Sequence, residues 1–319
     1  MPVSGANTGT AGSRGSAHAP PGTVVGPYVI GDYLGSGRFS NVYMAYRGTE
    51  TEPLAIKIFK DEGAQVIAGY EFAVLRKMAN PGSHVVRVFD VRESDVGWYI
   101  VSEFLDGETL AERIDTAGGN TDVSEVAQIG SDMLHALSMT HDHHIFHRDV
   151  KPENVILVEG RGAILFDFGV AATRYTQLSG LTWPYWPPGV REGAVEPDPD
   201  LFAVGIILCE LLTGEHPYPR SNPHGGEAPN VTHLPPGLRE VLGRAIGPDP
   251  EIRYDTAEQF LDALAPFVES NQEITVSRHY RYRRAELHIA AGELDEAAAL
   301  CLPEWKRLTS RIDRERQIN

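Results

Sequence analysis

The chain has 319 residues, of which 42% are hydrophobic, enough for one large domain or for two lobes that each bury a core. It carries 44 acidic and 28 basic side chains, so its formal net charge is −16. This acidic balance argues against nucleic-acid binding, which depends on Lys and Arg contacts to phosphates, and it favours a soluble protein.

Cysteine usage and hydropathy predict a cytoplasmic protein without a membrane segment. Cys209 and Cys301 do not make a disulfide framework, which is consistent with a reducing compartment. The first residues lack the apolar core of a signal peptide. The longest apolar run, LFAVGIILCELL at 201–212, is too short to span a membrane and predicts a buried helix.

The first half of the chain predicts a tail followed by a sheet. Residues 1–24 are mostly Gly, Ala, Ser, Thr and Pro and are predicted to be disordered. From Tyr28 the runs YVIGDYL, NVYMAY and LAIKIF predict antiparallel strands. AQVIAGYEFAVLRKMA has apolar residues at helical spacing, and HVVRVFDV and WYIVSEF predict further strands.

From Asp122 the pattern becomes helical. SEVAQIGSDMLHALSMTH has apolar residues on one helical face, and helices with Pro-rich loops continue to about Val268. The predicted class is therefore α+β: a small antiparallel β lobe with one helix at about 25–104, and a larger, mainly helical lobe at about 105–269.

Residues 270–319 predict a helical extension. Its two helices, hinged at Gly292, resemble a single tetratricopeptide repeat, which cannot bury its apolar face alone. The extension is expected to pack on the larger lobe, to pair with another chain or itself, or to belong to a longer array. A solvated basic helix fits equally well.

Two features of the β lobe suggest phosphate chemistry. In LGSGRFSNVY, Gly35 and Gly37 would let backbone amides approach phosphates, although Ser40 weakens the pattern and an ordinary hairpin also fits. Lys57 lies among apolar residues of a strand, and Glu71 shares the apolar face of the following helix. Two opposite charges directed into one interior should pair, because either alone would be costly to bury.

Polar residues are also dense in HRDVKPEN at 147–154, which is followed thirteen residues later by DFG at 167–169. Asn154 and Asp167 offer oxygen ligands suited to Mg²⁺. Asp149 is a separate carboxylate that could accept a proton from a hydroxyl. Each motif alone could be a turn or a surface ion pair.

Taken in order, these motifs resemble those of the protein kinases. The resemblance covers about residues 28–268 and includes LGSGRFSNV, AIK, Glu71, HRDVKPEN, DFG and DPDLFAVGIILCELLTG. It implies a bilobal kinase-like fold and an ATP- and Mg²⁺-dependent kinase of the eukaryotic-like bacterial Ser/Thr class, with Mn²⁺ as an alternative metal. The expected partners are ATP and protein substrates with Ser or Thr.

The resemblance also implies which residues bind the nucleotide. Lys57 would hold the α- and β-phosphates and Glu71 would hold Lys57. Backbone groups of Glu103 and Leu105 would bind adenine, and Glu108 would meet the ribose. The full set of expected nucleotide-binding positions is Gly35, Ser36, Gly37, Val42, Ala55, Lys57, Glu103, Leu105, Glu108, Asn154 and Asp167.

The expected catalytic set is Asp149, Lys151, Asn154, Lys57, Glu71 and Thr182. On the resemblance, Asp149 accepts the proton of the substrate hydroxyl, Lys151 meets the γ-phosphate and Thr182 braces the catalytic loop. Asn154 and Asp167 would hold the metal. Lys151 and Thr182 are typical of Ser/Thr kinases, whereas Tyr kinases and related small-molecule kinases lack that lysine.

Three further positions carry expectations from the resemblance. Ser102 is a small residue at the gatekeeper position, which predicts room for bulky N6-substituted ATP analogues. Arg148 would bind a phosphorylated activation loop, with Thr173 or Thr176 as the favoured acceptor. Asp200 would bond the backbone of the catalytic loop.

The sequence departs from the family where the activation segment should end in Ala-Pro-Glu. Residues 187–189 are Pro-Pro-Gly, although Arg253, the usual partner of that glutamate, is present. Glu192 or Glu196 is the expected substitute. The departure keeps a second interpretation open, a nucleotide-binding pseudokinase that signals through its C-terminal helices.

Overall fold

The computed structural model describes residues 19–37, 40–60, 64–79, 83–119, 121–168, 183–187, 198–218 and 229–268. The predicted extension at 270–319 lies outside these residues. The chain divides into two compact units, one formed by Met1–Arg76 with Arg87–Phe104, the other by Lys77–Val86 with Leu105–Asn319. The division after Phe104 falls where the sequence predicted the junction of the lobes.

The first unit is built on an antiparallel six-stranded sheet. Its strands, in spatial order, are β1 (Val24–Val25), β2 (Tyr28–Ser36), β3 (Ser40–Arg47), β4 (Leu54–Phe59), β6 (Gly97–Glu103) and β5 (Val88–Ser94). β1 begins within the predicted tail and pairs with β2, Val24 opposite Val29. One helix, α1 (Ala64–Met78), follows β4 as predicted.

One face of this sheet carries a hydrophobic core. Side chains alternate between the faces of a strand, so residues two apart share a face. Tyr43 and Ala45 of β3, Ile56 and Ile58 of β4, and Val101 of β6 lie in one buried cluster. The residues between them therefore belong to the other face.

The second unit is mainly helical. Its helices are α2 (Leu110–Ala117), α3 (Val123–His141), α4 (Asp198–Thr213), α5 (Pro236–Ala245) and α6 (Ala257–Leu264). A small antiparallel sheet has the order β7 (Gly107–Thr109), β8 (Val155–Val158) and β9 (Gly162–Leu165). Every residue from Leu201 to Leu211 is buried, which confirms the predicted buried helix. α3 contacts α4, α6 and β9, so α3 and α4 form the centre of this unit.

The helix boundaries follow from local capping. Thr109 and Glu112 form a capping box at the start of α2, and Gly118 ends that helix with φ 56°. Asp122 caps α3 by accepting a hydrogen bond from the backbone N–H of Ser124. Among the described helices, none combines the length and the apolar character needed to cross a membrane.

Candidate active site

The predicted ion pair between Lys57 and Glu71 is present in the first unit. Lys57 Nζ lies 2.8 Å from Oε1 and 2.9 Å from Oε2 of Glu71. The lysine side chain is 15% exposed and the glutamate side chain 3%. Two nearly buried charges at this distance need each other, since removal of one would leave the other desolvated without a counter-charge. The pair therefore fixes the position of the Lys57 ammonium group.

The other predicted nucleotide residues of the sheet share a face with Lys57. Val42 is directly opposite Lys57 in the register, and Ala55 is opposite Ser102. Directly opposed residues have their side chains on the same side, and Ala55 and Lys57 are two apart on β4. This face is the one without the hydrophobic cluster, so Val42, Ala55, Lys57 and Ser102 line a common surface.

The glycine-rich turn connects β2 and β3. Gly35 pairs with Val42 and Ser36 with Asn41, and the Gly37 N–H donates to the Ser40 carbonyl at 2.9 Å. A Cβ added to Gly35 would meet no described atom within 4 Å, so the backbone there borders open space. The two residues at the tip of the turn lie outside the described residues.

Leu34 is a residue that the sequence interpretation missed. Tyr33 of β2 is paired with Tyr43 of β3, and Gly35 is paired with the next residue of β3, Val42. Leu34 has no residue opposite it and is therefore the extra residue of a β-bulge. Its side chain is 44% exposed although it is large and apolar. A leucine directly before the glycines was the available signal.

The end of β6 is held by Arg87. The Glu103 carboxylate accepts from the Arg87 backbone N–H at 3.0 Å and from Arg87 Nε at 2.8 Å. The Glu103 N–H donates to the Arg87 carbonyl at 2.9 Å. The Ser102 hydroxyl donates to the Glu103 carbonyl at 3.2 Å. Leu105 belongs to the second unit and is half-buried.

Glu108, the residue expected to meet the ribose, lies in a buried ion pair. It is 3% exposed, and its Oε1 lies 3.1 Å from Nη1 of Arg113, which also pairs with Glu125. A carboxylate buried in such an ion pair is needed to neutralise the arginine. The ribose contact of Glu108 stays a prediction.

The catalytic loop brings Asp149, Lys151 and Asn154 together in the second unit. Lys151 Nζ donates to Asp149 Oδ2 at 2.7 Å. Asn154 Nδ2 donates to the Asp149 carbonyl at 2.8 Å and to Oδ2 at 3.1 Å. The Asp149 side chain is 12% exposed, so it keeps some access to solvent. A carboxylate oriented by two donors but still accessible can accept a proton from a hydroxyl.

The loop is bonded to the backbone that follows β9. The His147 ring is fully buried, accepts from the Asp149 N–H on Nδ1 at 3.3 Å and donates from Nε2 to the Phe166 carbonyl at 3.0 Å. The Phe166 N–H in turn donates to the Asn154 carbonyl at 3.1 Å. Asp167, the next residue, has φ 63°, an unfavourable value that these bonds help to maintain.

Asp200 at the start of α4 holds the other side of the loop. It is 1% exposed and accepts from the backbone N–H groups of His147 at 2.8 Å and Arg148 at 2.7 Å, and from Nε2 of His141 at 2.9 Å. Burial would raise the pKa of the Asp200 carboxyl, but the hydrogen bond and charge of His141 and the other donors hold it below its usual value. The predicted structural role of Asp200 is confirmed.

Comparison with known proteins agrees with this arrangement. A model of the protein kinase domain matches residues 28–267, about three quarters of the chain. The chain belongs to the protein kinase family. The serine/threonine-protein kinase PrkC of Bacillus subtilis is 28% identical over 256 residues, which cover 74% of this chain and 39% of that protein.

A second kinase relative is similar to the same extent. The serine/threonine-protein kinase PknB of Mycobacterium leprae is 30% identical over 258 residues, which cover 73% of this chain and 41% of that protein. The chain thus spans about two fifths of the length of these curated relatives.

Protein kinases use ATP and Mg²⁺, and the donor set here fits the metal. The Asn154 amide nitrogen is occupied by Asp149, which leaves its oxygen as the atom suited to a cation. Asp167 supplies a carboxylate on the backbone fastened to Asn154 through Phe166. Both are hard oxygen ligands of the kind that Mg²⁺ prefers.

Several kinase positions fall outside the described residues, namely Thr182, Thr173, Thr176, Gly189, Glu192 and Glu196. The expected substitute partner of Arg253 therefore stays a prediction. Arg253 itself is 2% exposed, donates from Nη1 to the Gly247 carbonyl at 2.9 Å and lies 5.5 Å from the centre of the Phe202 ring.

Two aromatic residues directly before Pro187, Tyr185 and Trp186, pack within the second unit. Trp186 is 5% exposed. The Tyr185 hydroxyl donates to Glu210 Oε2 at 2.9 Å, and its ring contacts His216 edge-on. These contacts indicate that the two aromatic side chains pack within this unit.

Proposed function

We propose that this chain is an ATP- and Mg²⁺-dependent Ser/Thr protein kinase, which transfers the γ-phosphoryl group of ATP to Ser and Thr hydroxyls of proteins. The observation that carries the proposal is the catalytic loop, where Lys151 and Asn154 orient the Asp149 carboxylate at 2.7 and 3.1 Å. The names of the relatives support the same substrate class.

The first unit would bind the nucleotide through one face of its sheet. Lys57, fixed by Glu71, offers a positive charge for the α- and β-phosphates. Gly35, Ser36 and Gly37 offer backbone N–H groups for the phosphates. Ala55 and Val42 offer apolar surface for the base. We add Leu34 to this set, because its exposed apolar side chain adjoins the same turn.

The second unit would carry the transfer itself. The substrate hydroxyl oxygen forms a bond to the γ-phosphorus, the bond from that phosphorus to the β,γ-bridging oxygen breaks, and ADP leaves with the electron pair. The hydroxyl proton passes to Asp149, and Lys151 offsets the negative charge of the transferred group. Bound Mg²⁺ would neutralise phosphate charge, with Asn154 and Asp167 as its protein ligands.

Arg148 supports the proposal that the chain phosphorylates its own activation loop. Its side chain is 7% exposed, and its Nε has no hydrogen-bond partner in the described structure. A buried guanidinium with unused donor capacity is suited to bind a phosphate by charge-assisted hydrogen bonds. Thr176 and Thr173 are the proposed acceptors.

The test is phosphate transfer from labelled ATP to an unstructured protein substrate rich in Ser and Thr. We expect label on Ser or Thr with the wild-type chain and a loss of at least roughly 10³-fold with Asp149→Asn, which removes the proton acceptor. Asp142→Asn changes an exposed aspartate seven residues earlier and should keep full activity.

The second candidate function is a pseudokinase that binds nucleotide and signals through its C-terminal helices. The replacement of the usual glutamate by Gly189 favours it. Binding of Mg²⁺-ATP without transfer, and without an effect of Asp149→Asn, would support this candidate and overturn the kinase proposal.

A further inference from the structure

Arg87 makes an unusually complete set of contacts with one residue. Its Nε, Nη2 and backbone N–H all reach the Glu103 carboxylate, at 2.8, 2.7 and 3.0 Å, and its carbonyl accepts from the Glu103 N–H at 2.9 Å. The hydrogen bonds to Glu103, followed by its charge, raise the pKa of Arg87. Side chain and backbone of Glu103 are thus held by the same residue.

The pair differs from an ordinary surface ion pair. The Arg87 side chain is 48% exposed, but the Glu103 side chain is only 7% exposed. Exposed pairs contribute little, whereas a carboxylate buried without its cation is strongly unfavourable. Without Arg87, Glu103 would therefore tend to turn towards water, and the backbone at the end of β6 would move with it.

The position of the Glu103 backbone affects whether the protein binds adenine or guanine nucleotides. The resemblance to protein kinases implies that backbone groups of Glu103 bind adenine, and the Glu103 carbonyl is the group there that would accept a hydrogen bond from the base. Adenine carries an amino group at position 6 and can donate to that carbonyl, whereas guanine carries an oxygen there and would face it with a second acceptor. A carbonyl held in one place can distinguish the two bases, and a mobile one can rotate away from the mismatch.

We propose that Arg87 is a positioning residue that sets nucleotide specificity, because its clamp on the Glu103 carboxylate holds the Glu103 carbonyl where it accepts from adenine and excludes guanine. This inference rests on the proposed function. It assigns to Arg87 no contact with the nucleotide itself.

The experiment measures the dissociation constants of Mg²⁺-ATP and Mg²⁺-GTP by calorimetry, for the full chain and for Arg87→Met. The two nucleotides carry the same phosphates and metal, so the ratio of their constants reports on the base alone. We expect Arg87→Met to reduce the preference for ATP roughly fivefold to tenfold, the effect of weakening one hydrogen bond to the base.

Two further variants separate positioning from general damage. Arg87→Lys keeps the charge but not the planar fork, so an intermediate preference is expected. Arg92→Met is the matched control, since Arg92 lies 2.8 Å from Asp90 on β5 and its side chain is 62% exposed. It should leave the preference unchanged.

A double-variant cycle covers the case in which Arg87→Met folds poorly. Glu103→Ala removes the clamped carboxylate and should also reduce the preference for ATP. Arg87→Met added to Glu103→Ala should reduce it little further, because the two residues act as one unit. Independent, additive effects would overturn the positioning role.

The remaining outcomes distinguish this inference from the proposed function. If the wild-type chain prefers ATP and Arg87→Met weakens ATP and GTP equally, or changes neither, Arg87 does not set specificity and the kinase proposal stands. If the wild-type chain binds no Mg²⁺-ATP, both the proposed function and this inference fail.

Discussion

Two residues of the active site have backbone conformations that their side chains disfavour. Arg148 has φ 65° and Asp167 has φ 63°, both in the left-handed region. Each costs on the order of 1–3 kcal/mol, so neighbouring contacts must maintain it. Asp200 bonds the Arg148 N–H, and Phe166 fastens the strand end before Asp167. The backbone strain thus lies at two residues whose charged side chains need a defined orientation.

At Ser102 the structure supports a prediction about ATP analogues. Ser102 lies opposite Ala55 on the face that we propose binds the nucleotide, and both side chains are small. The wild-type chain should use N6-benzyl-ATP, whereas Ser102→Met should use it at least roughly tenfold less well, because the longer side chain fills space beside the base. Steady-state kinetics with each nucleotide measures the difference.

ATP is the internal control for Ser102→Met. Its use should change little, since it does not reach the space that methionine occupies. Equal exclusion of the analogue by the wild-type chain and the variant would contradict the prediction.

At the scale of elements, the turn after α3 contains a residue whose replacement by glycine should stabilise the protein. His144 has φ 56° in this turn. Glycine adopts this conformation without the steric cost that histidine incurs. His144→Gly should raise the free energy of unfolding by about 0.5–1 kcal/mol, measured by urea denaturation.

The neighbouring residue is the control for that turn. His143 donates from Nδ1 to the Met139 carbonyl at 3.0 Å, and it is not among the described residues with positive φ. His143→Gly should therefore lower the free energy of unfolding. The same sign for both substitutions would refute the backbone explanation.

Asp200, which connects α4 to the catalytic loop, predicts that the free energy of unfolding depends on pH. The pKa of Asp200 is below its usual 3.8 in the folded chain, because His141 and two backbone donors stabilise the charged form against burial. A carboxyl group whose pKa is lower in the folded chain than in the unfolded chain stabilises the folded state. This stabilisation is complete above the pKa of the unfolded chain and is lost as the pH falls through the pKa of the folded chain.

Asp200→Asn should consequently lower the free energy of unfolding by about 2–4 kcal/mol at neutral pH, because its amide would point a donor at another donor. The gap between wild type and variant should narrow as the pH falls below the usual aspartate pKa. Urea denaturation at a series of pH values measures it, with Asp142→Asn as an exposed control. A gap that widens as the pH falls below the usual aspartate pKa would contradict the assigned pKa direction.

For the whole molecule, periodicity and motif order predicted the strands β2 to β6 of the first unit, α1, α3 and the buried helix α4, but not β1, which begins in the segment predicted to be disordered. The Lys57–Glu71 pair was also predictable, since both charges point with apolar residues towards one interior. The Glu108–Arg113 ion pair was not predictable, because these two residues become neighbours only once β7 and α2 have packed. The Arg87–Glu103 clamp joins residues sixteen apart and has no local signature.

The measurement that tests the central claim most directly is autophosphorylation with Mg²⁺-ATP, followed by mass-spectrometric mapping, for the wild-type chain and Asp149→Asn side by side. The account predicts phosphate on Ser or Thr, with Thr173 or Thr176 among the sites, and none on the variant. If Asp149→Asn acquires as much phosphate as the wild-type chain, or if neither acquires any while both bind ATP, Asp149 is not the catalytic carboxylate of an active Ser/Thr kinase.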